Sequence, residues 1–266
     1  MNAKKTFLVA GALALLALPS AKADLIVTVA EAAGDMSTSV PDAIVQDFNS
    51  LPADSIQNNV AWIGVGTVNQ VYVHSADQYG GANDSNYAVQ STGGEAAGIS
   101  KSVLTLNSAS SYFGLWWSAG DSQNLLQFYS GGTNGTLIAQ FVSGDMKNLP
   151  NTYKGNPNTD PAQAGLDSAE YFAFLNFYGT TGDTWDTIVF SNQGTSGFES
   201  DNWTSRVLPW GSDPKDHGPM PGNKVLSITG TSVTVTPVPE PSNAMAMLLF
   251  SGCIGAAGAA YRRLKK

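Results

Sequence analysis

Between Asp24 and Thr236 no long stretch carries an apolar stripe of helical period. Short alternating or apolar runs recur instead, bounded by Gly, Asn, Asp and Pro. A chain patterned this way cannot bury its apolar residues on helices, so the domain is expected to be mostly β. The candidate strands are Leu25 to Ala30, Val68 to His74, Tyr87 to Gln90, Ser102 to Leu106, Tyr112 to Ser118, Leu125 to Tyr129, Leu137 to Phe141, Tyr171 to Tyr178, Thr187 to Ser191, Phe198 to Thr204 and Val225 to Val235. Asp42 to Ser50 reads as a short helix or as an opening strand. The spacing of so many short strands makes a two-sheet β-sandwich the economical architecture.

One local pairing stands out. Leu125 to Tyr129 and Thr136 to Phe141 flank Ser130-Gly131-Gly132-Thr133-Asn134-Gly135, a turn composition that predicts a β-hairpin. Tyr112 to Ser118 runs through Ala119-Gly120-Asp121-Ser122 into the same hairpin, which suggests a three-stranded meander. Two long loops, Met146 to Ala169 and Leu208 to Asn223, are rich in Asn, Pro, Gly and Asp, and loops on a rigid scaffold are where binding sites usually sit.

The single cysteine, Cys253, lies outside this region, so the domain holds no disulfide and no cysteine-based metal site. With only His74 and His217, a histidine-rich transition-metal centre is not expected. Charged residues make up 13% of the chain, about half the usual share. In the central domain six basic residues face 20 acidic ones, a formal net charge of −14. Such a surface repels nucleic acid and anionic membranes.

Both ends of the chain read as addresses. Lys4-Lys5, an apolar run from Phe7 to Leu18 and Pro19-Ser20-Ala21-Lys22-Ala23 follow the order of a secretory signal peptide, residues 1–23. Cleavage is placed after Ala23, with Ala21 as a second site. At the other end, residues 237–266 comprise the motif Val238-Pro239-Glu240-Pro241, an uncharged run 242–261 and the basic end Arg262-Arg263-Leu264-Lys265-Lys266. About 20 residues rising roughly 1.5 Å each span a bilayer's hydrocarbon core, with the basic end staying cytoplasmic. A plain uncleaved anchor would have the same span and the same basic end.

In its order and position this tail resembles the PEP-CTERM sorting signal. The resemblance implies an exported protein of a Gram-negative cell, held transiently in the inner membrane. Signal peptidase and an exosortase-type membrane cysteine protease would process it, the latter near Pro239-Glu240-Pro241. The product would belong to the cell surface or the extracellular matrix, with exopolysaccharide as the associated material. Cys253 inside the span is not part of the motif; it is either a lipidation site or a small helix residue. The segment Thr184 to Ser191 followed by Gly197-Phe198-Glu199-Ser200-Asp201-Asn202-Trp203 is similar to the closing strands of jelly-roll sandwiches common in PEP-CTERM ectodomains, where Phe-Glu-x-Asp-Asn recurs. The implied ectodomain, residues 24–236, is a jelly-roll-like two-sheet β-sandwich.

No catalytic constellation rises above background. Glycoside hydrolysis needs two carboxylates across the scissile bond. Asp183 with Asp186, and Glu199 with Asp201, are the nearby pairs, and Glu199 and Asp201 share a strand face. Solvated carboxylates are the simpler reading of both. No Gly-x-Ser-x-Gly sequence accompanies His74 or His217. No cofactor is expected, though Asp77 to Asn86 and Asn156 to Asp160 are rich enough in oxygen ligands for calcium. Among the tryptophans, Trp116, Trp117 and Trp210 are candidate sugar contacts; the first two are adjacent on a strand and so point to opposite faces. The expected function is therefore a non-catalytic, polysaccharide-associated surface protein. The alternative is a secreted carbohydrate-active enzyme or carbohydrate-binding module on the same scaffold.

Overall fold

The computed structural model describes residues 24–29, 32–94, 96–179, 183–206, 224–229 and 232–237. Residues 1–23, read above as a signal peptide, and 238–266, the part of the expected sorting tail beyond Pro237, lie outside them, as do Trp210 and His217. Among the described residues no helix is long and apolar enough to cross a membrane.

The domain is all-β. Its strands are β1 (Asp24–Val29), β2 (Ile44–Gln46), β3 (Ser55–Trp62), β4 (Gly66–His74), β5 (Tyr87–Gln90), β6 (Lys101–Ser110), β7 (Tyr112–Gly120), β8 (Asn124–Ser130), β9 (Thr136–Val142), β10 (Tyr171–Gly179), β11 (Trp185–Asn192), β12 (Phe198–Ser205), β13 (Lys224–Thr229) and β14 (Ser232–Pro237). They form one antiparallel sheet in the order β14-β13-β1-β10-β7-β12-β5-β4-β6-β11-β8-β9, with β2 added beside β12 and β3 beside β4. The sheet is nearly closed, β9 coming back against β1 and β14.

Each candidate strand is present, and Val225 to Val235 divides into the paired β13 and β14. Asp42 to Ser50 contains the opening strand β2 rather than a helix. The β8–β9 hairpin forms in the expected place, with Leu126 opposite Phe141 and Ser130 opposite Thr136. Its turn needs Gly131 and Gly132 at φ 85° and 78°, a region open to glycine at little cost.

The three-stranded meander does not form. β7 pairs with β10 and β12, whereas β8 pairs with β11 and β9. The inner side chains of β7 meet those of β8 across the interior, Phe113 edge-on to Phe128 at 6.2 Å between centroids, so the two strands lie on facing walls and not side by side. The chain therefore crosses over at Asp121–Gln123 instead of turning back.

One interior fills the sheet. Phe113, Leu115 and Trp117 of β7, Leu175 and Phe177 of β10, and Phe198 and Trp203 of β12 meet Leu126 and Phe128 of β8, Phe141 of β9, and Ile188 and Phe190 of β11. The indole of Trp203 lies flat on Phe190, 3.8 Å between centroids and 2° between planes, and takes Phe48 edge-on at 5.0 Å. Trp117 stacks on Phe198 at 4.4 Å. β11 and β12, adjacent in sequence, thus pair with different neighbours and face each other through this aromatic stack.

Strand β3 escapes the sequence pattern for a local reason. Asn59, at φ 52°, interrupts it, and β4 changes the face it buries at the same level: Val68 points inward, then Val71 and Val73, while Tyr72 packs outward. Val60 opposite Val68 is buried, yet Ile56 opposite Tyr72 is 41% exposed. Simple alternation fails across such a switch.

Replacing Trp203 with Ala removes the centre of the stack and the indole N–H bond to Ser200 Oγ at 2.9 Å. We expect a loss of about 3–5 kcal/mol, read as a lowered urea midpoint at unchanged slope.

Candidate functional site

The outer face of the β10-β7-β12-β5 region is also buried, and this is where the chemistry-bearing residues gather. Register sets Phe174 beside Trp116, Trp116 beside Asp201, Ser118 beside Glu199, and Glu199 beside Val89 on that face. Loops lie over it. Met36 and Ala82 close over Trp116, Phe172 and Phe174, while Ala96 and Ile99 close over Tyr87 and Val89. Thr38 reaches down to an internal polar group: its hydroxyl and that of Tyr112 both donate to Asn176 Oδ1, at 3.0 and 2.6 Å. Gly114 makes room for this cluster, because a Cβ there would lie 2.7 Å from the Tyr112 hydroxyl and 2.9 Å from Phe174.

The segment Phe198-Glu199-Ser200-Asp201-Asn202 distributes its residues over both faces. Phe198 and Ser200 point inward, Phe198 into the aromatic stack. Asp201 is fully buried on the outer face and accepts hydrogen bonds from the Ala82 N–H at 3.0 Å, from the Ser85 hydroxyl, and from the Asn202 N–H at 2.6 Å. Asn202 bulges at φ 46° and its amide donates to Met36 O at 2.7 Å. Asp201 and Asn202 together therefore tie two covering loops to β12.

Burial pushes the Asp201 carboxyl up to about 7, with the charge of Asp47 acting in the same direction; the bonds from Ser85, Ala82 and Asn202 oppose it. Glu199 shares the face, as its i, i+2 relation to Asp201 implies, but the two carboxylates have different surroundings. Asp201 is sealed under the loops. Glu199, 3% exposed, lies at the wall of an open cleft of about 180 Å³, which it shares with Tyr79, Ala119, Asp121, Glu170, Ser196 and Gly197. Ala119 sits at φ 44°, where the β10–β7 ladder loses register. Asp121 braces the rim, its carboxylate accepting from the Gln123 N–H at 2.7 Å and from the Ser196 hydroxyl.

The other candidates are placed as follows. Asp186 is a turn clamp: it accepts the Gly131 and Gly132 N–H groups at 2.7 and 3.0 Å and the Thr187 hydroxyl at 2.8 Å. Burial acts upward on its carboxyl, but these donors outweigh burial and hold it below the ordinary range. His74 ends β4, its Nδ1 2.7 Å from Ser75 O and 3.6 Å from Asp54. Trp116 and Trp117 do point to opposite faces, but they are 1% and 0% exposed. Neither offers a ring face to a sugar, because loops cover one and the interior encloses the other.

The two oxygen-rich stretches considered for calcium lie against each other. The Asn156 amide donates to Gln78 O at 2.8 Å, and that of Asn158 to Asp84 Oδ1 at 3.4 Å. These bonds join the two loops; among the described residues no group of three or more His, Cys, Asp or Glu side chains is placed to hold a metal ion. Sequence reasoning missed Glu170, Asp121 and Tyr79 as neighbours of Glu199. They come from three separate loops, and only the tertiary fold brings them together. In comparison with known proteins, no family model, no curated protein and no solved structure matches the chain.

The Asp201 carboxyl gives the fold a specific pH dependence. Its folded value, about 7, lies above an unfolded value of about 3.9. The stability it contributes is complete below the unfolded value and is lost as pH rises through the folded one. Denaturant midpoints measured from pH 4 to 8 should fall for the native chain relative to Asp201→Asn, whose curve lacks that component. Parallel curves would show that Asp201 stays ionised in the folded state.

Proposed function

We propose that the chain is an exported, exosortase-sorted surface protein. Its ectodomain is a non-catalytic, jelly-roll-like two-sheet sandwich, and the mature product is associated with the exopolysaccharide or extracellular matrix. The observation that carries this reading is the order of segments in residues 238–266: Val238-Pro239-Glu240-Pro241, an uncharged run of bilayer length, and the basic cluster Arg262-Arg263-Leu264-Lys265-Lys266. Such a tail is paired here with a signal-peptide pattern at residues 1–23. Either alone has other uses. Together they describe a chain that crosses the membrane, pauses in it and presents the intervening domain outside.

The domain suits that destination. It is stabilised without disulfides, by an aromatic interior, and the scarcity of basic residues keeps it from adhering to anionic surfaces. The facing of β7, β10 and β12 by β8, β9 and β11 supports reading the nearly closed sheet as two halves of a sandwich.

Intact-mass spectrometry of the protein recovered from the host's surface fraction tests the reading, with and without the membrane protease. The expected product begins after Ala23 or Ala21 and ends near Pro239 to Pro241 only when that protease is present. A tail intact through Lys266 in both strains would leave a simple anchored ectodomain and overturn the sorting proposal.

A further inference from the structure

Asn134-Gly135 is the one Asn-Gly pair in the chain, and it sits at the tip of the β8–β9 hairpin with both residues exposed. We propose that Asn134 is a site of spontaneous covalent modification. Attack by the Gly135 nitrogen converts its side-chain amide to aspartate and isoaspartate, and the isoaspartate opens the hairpin turn. The proposal is independent of how the chain is sorted.

The reaction needs only neighbouring atoms and water. The Gly135 nitrogen gives up its proton and bonds to Asn134 Cγ, the bond from Cγ to the amide nitrogen breaks, and ammonia leaves with that proton. The product is a five-membered succinimide. Water then opens the ring at either carbonyl, giving aspartate when the new bond to Cγ breaks and isoaspartate when the original peptide bond breaks. Nothing is oxidised or reduced. A glycine at the attacking position leaves the nitrogen unshielded, and side-chain amides are among the thermally labile groups of a protein.

The fold selects this asparagine over others. The Asn134 side chain has no hydrogen-bond partner among the described residues, so its Cγ is free to swing toward the next nitrogen. That nitrogen donates to Gly132 O at 2.9 Å, in an exposed turn of the kind that opens locally at little cost. Two Asn-Ser pairs provide the contrast. Asn49 is exposed, but its Oδ1 accepts the Asn86 N–H at 2.9 Å, which fixes the side chain. Asn107 lies within β6, where a side chain stands out of the pleat and away from the following nitrogen.

The turn has no room for the product. Isoaspartate carries the main chain through its own methylene, which lengthens the backbone by one atom. A single carbon added at Gly135 would already collide with Ser130 O and lie 2.7 Å from the carbonyl carbon of Gly131. The longer backbone therefore breaks the Gly135 to Gly132 bond and the pairing of Ser130 with Thr136. The new carboxylate also joins a turn whose Gly131 and Gly132 amides Asp186 already holds, and the two negative charges repel. β9 ends the strand path and returns against β1 and β14, so the turn that opens anchors one side of the near-closure.

The full chain in detergent would be aged for weeks in warm buffer, at neutral and at mildly alkaline pH. Its peptides would be read by mass spectrometry, with electron-transfer fragmentation separating isoaspartate from aspartate. The gain of about 1 Da that marks loss of the amide is expected at Asn134 at least about tenfold faster than at Asn49 or Asn107, and faster at the higher pH, with isoaspartate among the products. Hydrogen exchange in β9 is expected to rise in the aged chain and to stay at its starting level in Asn134→Gln treated alike. Conversion of Asn134 no faster than that of Asn49 or Asn107, unchanged exchange in β9 of the isoaspartate form, or the same rise in Asn134→Gln would overturn the proposal.

Discussion

Burial of both faces of β7 is the constraint on which the rest of the structure depends. A strand that reads Tyr-Phe-Gly-Leu-Trp-Trp-Ser-Ala cannot lie on a sheet with one wet face, because half of its bulky side chains would remain in water. The inner set, Phe113, Leu115 and Trp117, is covered by the opposite wall of the sheet. The outer set, Tyr112, Trp116 and Ala119, needs a cover that no other strand provides, and the loops carrying Met36, Val40 and Ala82 supply it. The long connections are therefore part of the folded body rather than ornaments on it.

Covering a sheet with loops brings backbone polar groups into a dry place, and these must be satisfied there. Asp201 and Asn202 perform that task on β12, while Asn176 and Tyr112, on β10 and β7, hold the side-chain hydroxyl of the loop residue Thr38. The same arrangement explains why Asp201 and Glu199, two residues apart and on the same face, differ so much. The loop bearing Ala82 and Ser85 seals Asp201. Two residues earlier the covering loops part at Tyr79, Asp121 and Ser196, which leaves Glu199 beside open space. The cleft is the gap between loops that are otherwise pinned.

Much of this was legible in the sequence, and the missing parts share a cause. Strand positions followed from apolar runs and turn residues, and the Gly131-Gly132 hairpin from local chemistry alone. The meander expected from the closeness of β7 and β8 in sequence does not form, because Phe113 and Phe128 face each other across the interior and set the two strands on opposite walls. β3 was hidden by the face switch at Asn59. In the Phe198–Asn202 segment, period two correctly set Glu199 and Asp201 on one face. The identity of their neighbours was not legible, because Glu170, Asp121, Tyr79 and Ser85 arrive from loops whose paths depend on which outer side chains require covering.

A charge-poor β-domain faces one further demand, since open strand edges invite pairing with other chains. Here the order of the sheet removes most of that hazard: β9 returns against β1 and β14, so the two ends of the long strand path protect each other. The remaining edges belong to the short β2 and to β3, in which Asn58 and Asn59 break the regular pattern and a polar face meets solvent. With its apolar surface enclosed by near-closure and its excess charge of one sign, the domain has little need of surface ion pairs. One such contact sets His74 Nδ1 3.6 Å from Asp54. Scarcity of charge and near-closure of the sheet are thus two sides of one solution, in which packing on both faces of the central strands takes the place of a disulfide.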